Sequence, residues 1–364
     1  MNKGKKILIS GYYGFKNSGD DAILKAIVNE FKKIDNTLEL TVLSKDPQNT
    51  TELYGIRAVD RFSINSIFRE IKNSDLLISG GGSLIQDITS TKSILYYLSL
   101  LKLAKLMNKP VMVYANGIGP IIKGVNRMLS KNVLNTVDMI TLRDYDSLNT
   151  LKDLNVKNNN IHVTADPVYA LKEVDDNRIN QILKLEGIDR SKKIIGLSLR
   201  KWKNYNNAEE FAKTVDYIND NYDVEVLLIP MHFPIDLSFC KDIKNHTKTK
   251  CYILEHEYSV EEIMGIIKKL ELIIAMRLHS LIYAATQTTP MIAVAYDPKV
   301  EGFMNNIGLT YKIDIQNMNY TELAALFDDV WNNKKEIRCQ LEKHREEFRK
   351  KSHMNVEFAM SLLK

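Results

Sequence analysis

Two doubly wound α/β domains, one after the other along the chain, are predicted by three observations. Short apolar runs alternate with amphipathic helical stretches from end to end, the strand-like runs fall into two series, and unusual polar residues stand where strands give way to helices. Strand–helix–strand alternation argues for parallel sheets covered on both faces. A chain of 364 residues accommodates two such domains, and 45% apolar residues are enough for two cores.

The first series of strands is expected at 6–10, 38–43, 75–79, 111–115, 139–142 and 161–165, each a short apolar run ended by polar or small residues. Helices with one apolar face are expected between them, as at 21–33 and 93–107. The second series is expected at 194–199, 224–229, 251–254, 272–276 and 291–295, with helices such as 208–221 and 260–269. The seam falls near Asp166-Pro167-Val168, and Asp189-Arg190-Ser191-Lys192-Lys193 leads into the second series. The expected organisation is therefore a domain at 1–170, a domain at 171–320 and a helical segment at 321–364. Two Rossmann-like domains facing a cleft are the architecture called GT-B, which by itself names no function.

Composition excludes several classes. A net charge of +5 suits anionic ligands but is no nucleic-acid signature, and no finger or RNP-like motif is present. Cys240, Cys251 and Cys339 are widely spaced, so neither a disulfide framework nor a zinc site follows, and a reduced cytoplasmic setting is expected. After Lys3, Lys5 and Lys6 the apolar run Ile7-Leu8-Ile9 is too short for a signal peptide, and no uncharged apolar run is long enough to span a bilayer. Between 334 and 351 eight Lys/Arg stand against four Glu, which reads as a solvated helix face with at most a peripheral contact to anionic lipid.

Function is expected where strands end, because in parallel sheets these ends share one edge. Arg277-Leu278-His279-Ser280 follows the run 270–276 and opens a helix. A helix start offers free N–H groups, Arg a planar fork for carboxylate or phosphate, and His a proton that moves near neutral pH. Arg143-Asp144, Arg200-Lys201-Trp202, His232 and Tyr296-Asp297-Pro298-Lys299 stand at other strand ends, and Asn116-Gly117-Ile118-Gly119 at another. Gly80-Gly81-Gly82-Ser83 reads either as a backbone nest for an anionic or sugar oxygen or as a packing turn. Asp87 reads either as a carboxylate base or as a helix cap. The first loop, Gly11 to Asp21, is neither GxGxxG nor GxxxxGK[ST], so dinucleotide binding is not expected. It offers Tyr12, Tyr13 and Phe15 beside Asn17 and Asp20, which suit a sugar ring. A tight turn capped by Asp20 with Asn17 left-handed fits the same residues.

Taken in order, these motifs resemble the polysaccharide pyruvyltransferase family, most closely its CsaB-type, secondary cell wall polymer branch. The resemblance rests on Gly11-Tyr12-Tyr13-Gly14, Asn17-Ser18-Gly19-Asp20-Asp21, Gly80 to Asp87, Asn116 to Pro120, Arg143-Asp144, Ala165-Asp166-Pro167, Arg200, Arg277 to Ser280 and Tyr296 to Lys299. It implies transfer of an enolpyruvyl unit from phosphoenolpyruvate to a sugar, giving a cyclic pyruvate ketal and phosphate, on a GT-B-like fold with no metal and no cofactor besides that co-substrate. For the branch it implies a lipid-diphosphate-linked acceptor carrying N-acetylmannosamine, work at the inner face of the cell membrane, and a product that helps anchor S-layer proteins.

On that resemblance the second domain takes the donor and the first the acceptor. Arg143, Arg277 and Lys299, with Arg200, His232 and His279, are the expected donor-binding residues, and His279 with Arg277 the expected catalytic ones. Tyr12, Tyr13, Asn17, Asp20, Gly81 and Asp87 are expected on the acceptor side. One rival is a nucleotide-sugar glycosyltransferase of the same fold class, with Glu301 as a ribose-binding acid. Another is a non-catalytic sugar- or anion-binding module.

Overall fold

The computed structural model describes residues 4–88, 90–188, 191–202 and 207–364. Its chain divides into two units, Met1–Leu171 with Phe348–Lys364, and Lys172–Glu347. The expected lead-in at Asp189 and Arg190 lies outside the described residues, as does Lys3.

In the first unit the strands are β1 (Lys6–Ser10), β2 (Glu39–Ser44), β3 (Arg57–Asp60), β4 (Leu76–Ile85), β5 (Val111–Ile118), β6 (Met139–Leu142) and β7 (Ile161–Val163). They form one parallel sheet in the order β3-β2-β1-β4-β5-β6-β7. The helices between them are α1 (Ser18–Ile34), α2 (Pro47–Tyr54), α3 (Ile64–Asn73), α4 (Thr91–Leu106), α5 (Gly124–Leu134) and α6 (Tyr145–Asp153). A core of Leu8, Ile71, Leu77, Leu98, Leu101, Val113 and Leu134 fills the space between sheet and helices. Each such fully buried aliphatic side chain contributes roughly 1.5–3 kcal/mol.

In the second unit α7 (Asp176–Leu185) precedes β8 (Lys193–Ser198), α8 (Ala208–Asn221), β9 (Val224–Leu228), α9 (Ile235–His246), β10 (Cys251–Ile253) and α10 (Val260–Lys268). Then come β11 (Leu270–Ala275), α11 (Leu278–Gln287), β12 (Met291–Ala295), α12 (Pro298–Asn306), β13 (Lys312–Asp314) and α13 (Tyr320–Ser361). The sheet is again parallel, in the order β10-β9-β8-β11-β12-β13. A full capping box starts α10: Ser259 accepts from Glu262 N–H while Glu262 accepts from Ser259 N–H.

Two strands escape the apolar pattern. β3 reads Arg-Ala-Val-Asp and β13 Lys-Ile-Asp, and both close an edge of their sheet. An edge strand needs few apolar residues, so its signal is weak. Residues 321–364 do not stand apart: α13 is one helix whose residues up to Glu347 group with the second unit and those from Phe348 with the first. Within the first unit, Thr164 donates to Asn355 at 2.7 Å, Asn355 donates to the Ala165 carbonyl at 3.1 Å, and His353 pairs with Glu30.

In each sheet the strand order reverses beside the first strand of its series: between β1 and β4, and between β8 and β11. Crossovers leave in opposite directions there and open a crevice at the carboxyl edge.

Candidate active site

At the first of these edges, β1 ends in Ser10 and hands over to the loop that starts α1. Asn17 caps α1, its side-chain oxygen accepting Gly19 N–H at 3.2 Å from an extended backbone. Lys16, not Asn17, takes the left-handed conformation, and the cap is Asn17 rather than Asp20. The Asp20 carboxylate instead faces Gly82, where a Cβ would stand 3.3 Å from Oδ1.

The two tyrosines of the loop separate. Tyr13 is buried, its ring laid across the backbone of Gly11 and Gly80, so that a Cβ on Gly80 would come within 2.6 Å of its hydroxyl oxygen. Burial holds its phenol well above the ordinary range. Tyr12 is exposed and stacks on Phe15, with centroids 4.0 Å apart and planes 4° from parallel.

Under this pair lies Arg61, which the sequence did not single out. Its guanidinium is buried, donates to the Gly11 carbonyl at 2.7 Å and to the Tyr97 hydroxyl at 3.2 Å, and stands within 4.8–6.0 Å of the rings of Tyr12, Phe15, Phe62, Tyr96 and Tyr97. A planar cation among aromatic faces gains attraction from each ring. Burial pushes the Tyr97 phenol up to about 12, against the lowering pull of Arg61.

The glycine run is not a loop. Gly80 to Ser83 belong to β4, and only Gly82, with φ +80°, has a conformation that needs glycine. Gly81 lies beneath Ile23 of α1, where a Cβ would meet the side chain at 2.4 Å. This is close helix–strand packing, and it places Gly81 in the wall rather than in an open nest. Asp87 accepts Ile122 N–H at 2.8 Å, Lys123 N–H at 2.9 Å and the Asn126 amide at 2.8 Å. Burial would raise its pKa, but these donors together hold it below the usual carboxylate range. Asp87 thus staples the loop after β5 and is poorly suited to accept a proton.

Arg143, expected with the donor residues, belongs to the first unit. It is buried, its guanidinium flat against Gly117, donating to Ser83 Oγ at 2.9 Å and paired with Asp166 at 3.4 Å. Burial raises the Asp166 pKa, and the Arg143 charge opposes that rise. Beside it Asn116 uses its amide N–H to hold the Ser79 and Tyr114 carbonyls at 2.9 and 3.1 Å. The Asn116 side-chain oxygen and the hydroxyls of Ser10, Ser79 and Tyr13 are buried without a hydrogen-bond partner among the described residues. Buried polar atoms are normally satisfied, so this edge is built to meet a polar guest or ordered water.

At the second edge the strand ends bring Arg200, Arg277 and His279 to the β8–β11 switch point. The end of β8 is tied to the first turn of α11 by the buried pair Ser198 Oγ and Ser280 Oγ at 2.7 Å. Arg277 is the cap residue of α11, and His279 lies in that helix's first turn, its ring 6.4 Å from Tyr283 one turn on. Arg277 is held by Asp236, which sequence reasoning also missed: Nε donates to Oδ2 at 3.0 Å and the terminal nitrogen Nη2 to Oδ1. The buried Asp236 additionally accepts His232 N–H at 2.9 Å, so one carboxylate fixes both the Arg277 fork and the turn bearing His232.

Arg200 stands 5.3 Å from the Trp202 ring and 5.4 Å from Tyr296, two rings that meet at 4.5 Å. Asp297 caps α12 and lies 3.5 Å from the exposed Lys299 ammonium. The donor residues expected in the second domain thus share one sheet edge, with Arg200, Arg277 and His279 at its centre and His232 and Lys299 on flanking strand ends. The signal for Asp236 was present in His232-Phe233-Pro234-Ile235-Asp236, an acid in the first turn of a helix after a strand end. Nothing local marks Arg61, whose neighbours come from three separate segments.

Comparison with known proteins gives the family. Residues 17–298 match the family described as polysaccharide pyruvyl transferase. The amylovoran biosynthesis protein AmsJ of Erwinia amylovora is 20% identical, over 92% of this chain and 94% of its own. Among solved structures, Anabaena Alr3699/HepE in complex with UDP-glucose aligns with a TM-score of 0.67 at 11% identity, covering 98% of this chain and 99% of that one. UDP-GlcNAc 2-epimerase from Neisseria meningitidis aligns with a TM-score of 0.67 at 14% identity, covering 98% and 100%. Likeness at this identity shows the fold: two parallel-sheet α/β domains of GT-B-like type.

Proposed function

This chain belongs to the polysaccharide pyruvyl transferase family, and we propose that it moves the enolpyruvyl unit of phosphoenolpyruvate onto a sugar as a pyruvate ketal. The observation that carries the reading is the Arg277 fork, oriented by Asp236 one residue before the helix that holds His279. The donor carries a carboxylate and a phosphate, so it calls for several oriented cations, each charge-assisted contact contributing roughly 1.5–3 kcal/mol. Arg277, Arg200 and Lys299 supply them from one sheet edge of the second unit.

The chemistry balances simply. A proton added to the methylene carbon leaves an oxocarbenium-like centre, which one sugar hydroxyl attacks. Phosphate departs with its bridging oxygen, and a neighbouring hydroxyl closes the ketal. The two hydroxyl protons replace the one delivered to carbon and the one carried away by phosphate. His279 is the general acid of this scheme, worth about 10²–10⁴-fold in rate, and His232 assists or binds. The Tyr12–Phe15 pair offers a face on which a sugar ring can stack. For the acceptor we take the CsaB-type reading: N-acetylmannosamine in a lipid-diphosphate-linked cell-wall precursor, met at the inner face of the membrane.

The test is phosphate release from phosphoenolpyruvate with and without a lipid-diphosphate ManNAc–GlcNAc analogue, with mass spectrometry of the sugar. Acceptor-dependent phosphate and a sugar heavier by one pyruvate ketal support the reading. No phosphate, no mass change and no binding of phosphoenolpyruvate would overturn it in favour of a nucleotide-sugar glycosyltransferase.

A further inference from the structure

Three segments of the first unit carry an unusual surface. They are residues 62–69 at the start of α3, Ile88 with 90–95 at the start of α4, and 121–131 around the start of α5. Eight of the seventeen exposed large apolar side chains among the described residues fall here. Ile64 is 81% exposed, Ile122 71% and Val125 65%, with Phe62, Phe68 and Met128 beside them in sequence. Single exposed apolar residues are ordinary; a gathered set on a soluble surface marks a contact face.

Hydrogen bonds tie the segments together. Asp87 holds the backbone of Ile122 and Lys123. Lys123 donates to Thr91 Oγ1 at 2.6 Å, α4 packs on α5, and Tyr96 of α4 donates to the Arg61 carbonyl at 2.9 Å. All three begin where a parallel strand has just ended, so they share the carboxyl edge of the sheet with the Tyr12 loop.

The charge on these segments has one sign. They contain Arg69, Lys92, Lys123, Arg127 and Lys131 and no Asp or Glu. Arg127 is paired with Asp153 and Arg69 touches Glu70. Lys123 donates its ammonium to Thr91 and adds its charge to the field at Asp87, while Lys92 and Lys131 are the remaining cations of these segments. Protein–protein interface cores are depleted of lysine, whereas lysine among exposed aliphatic side chains suits a bilayer surface. There the apolar groups enter the headgroup region and the ammonium groups reach back to lipid phosphates.

We propose that this rim is a membrane-docking face that seats the first unit on an anionic lipid surface with its sheet edge close to the headgroups. The basic stretch 334–351 of α13 is a weaker candidate, since Lys334 and Arg338 are both within 3.6 Å of Glu271. The inference extends the membrane location proposed above but does not need the pyruvyl-transfer reading, because it can be tested without acceptor or donor.

The experiment is flotation of the full chain with phosphatidylcholine vesicles, alone or with about three parts in ten of phosphatidylglycerol. The wild-type protein should float with the anionic vesicles and not with the neutral ones. Ile64→Ser with Ile122→Ser should lower the bound fraction by about tenfold, and Lys92→Gln with Lys123→Gln by roughly fivefold per lysine. Both should melt like wild type, since these side chains are exposed. Leu106→Ser, an equally exposed site at the far end of α4, should float like wild type. No binding to anionic vesicles, or binding that the two double variants leave intact, would overturn the proposal. So would a wild-type dimer in sedimentation that Ile64→Ser/Ile122→Ser turns into a monomer, because a second copy would then cover this face.

Discussion

Asp236 grips Arg277 along one side of the guanidinium, Nε to Oδ2 at 3.0 Å and the terminal nitrogen Nη2 to Oδ1, while the same carboxylate accepts His232 N–H at 2.9 Å. A fork held this way cannot swing, and its remaining terminal nitrogen has a set direction. Arg277 is thereby a preorganised cation rather than a flexible one.

Asp236→Ala should therefore cost about 3–5 kcal/mol of stability, because it strands a largely buried charge. Asp236→Asn, which keeps an acceptor for His232 N–H, should fold and show a raised KM for phosphoenolpyruvate with a smaller change in kcat. Arg277→Lys should behave similarly, since an ammonium cannot reproduce the two-point contact. Steady-state kinetics with chemical denaturation measures both effects; an Asp236→Asn enzyme with wild-type KM would remove the positioning role.

For His279 the expected split is the opposite. His279→Gln should lower kcat by about 10²–10⁴-fold while calorimetric affinity for phosphoenolpyruvate changes little. Near-normal turnover would take His279 out of the proton transfer.

The glycines of β4 make a steric prediction. Gly81→Ala drives a methyl into Ile23 and Gly80→Ala into the Tyr13 hydroxyl, so each should destabilise the first unit by about 1–3 kcal/mol. Gly124→Ala, with nothing within 4 Å of the added Cβ, should be close to neutral. Thermal melts of the three variants decide the matter, and equal melting temperatures would contradict the packing account.

Asp87 predicts a response to acid. Its folded pKa lies below the ordinary 3.8 because three donors outweigh burial. Its contribution to stability is therefore complete above the ordinary carboxyl range and is lost as pH falls through the lower, folded value. Asp87→Asn should destabilise the protein at neutral pH, and the gap to wild type should close at the acid end of a pH series of denaturation curves. A gap that stays constant with pH would show that the charge plays no part.

Arg61→Met keeps the length of the side chain but loses the bond to Gly11 and the charge between the rings. We expect a raised KM for the sugar acceptor with an unchanged KM for phosphoenolpyruvate, read from initial rates with each substrate varied. An equal rise in both would point to general unfolding of the edge instead.

How much of this was legible depends on whether the signal was local. Central strands such as 111–115 and 272–276 announce themselves as apolar runs because both faces are covered, and the Arg277–His279 pair is legible because strand end and helix start adjoin in sequence. β3 and β13 were not, since an edge strand of three or four residues needs little apolar surface. The glycine run stayed ambiguous for a physical reason: glycine suits an open nest and close packing alike, and only Ile23 and Tyr13, which pack on Gly81 and Gly80 in the fold, decide between them. Arg61 was invisible because its environment is assembled from β1, β3 and α4 segments that meet only in the fold.

The return of α13 to the first unit makes the second unit, in sequence, an insertion. Residues 1–171 can build their sheet early in synthesis, yet Glu30 and Thr164 meet His353 and Asn355 only after the whole of 172–347 has been made. A nascent first unit must therefore wait, with part of its apolar surface uncovered, for Val356 and Ala359 to reach it. Cutting the gene at residue 171 would not yield a shorter first domain but an unfinished one.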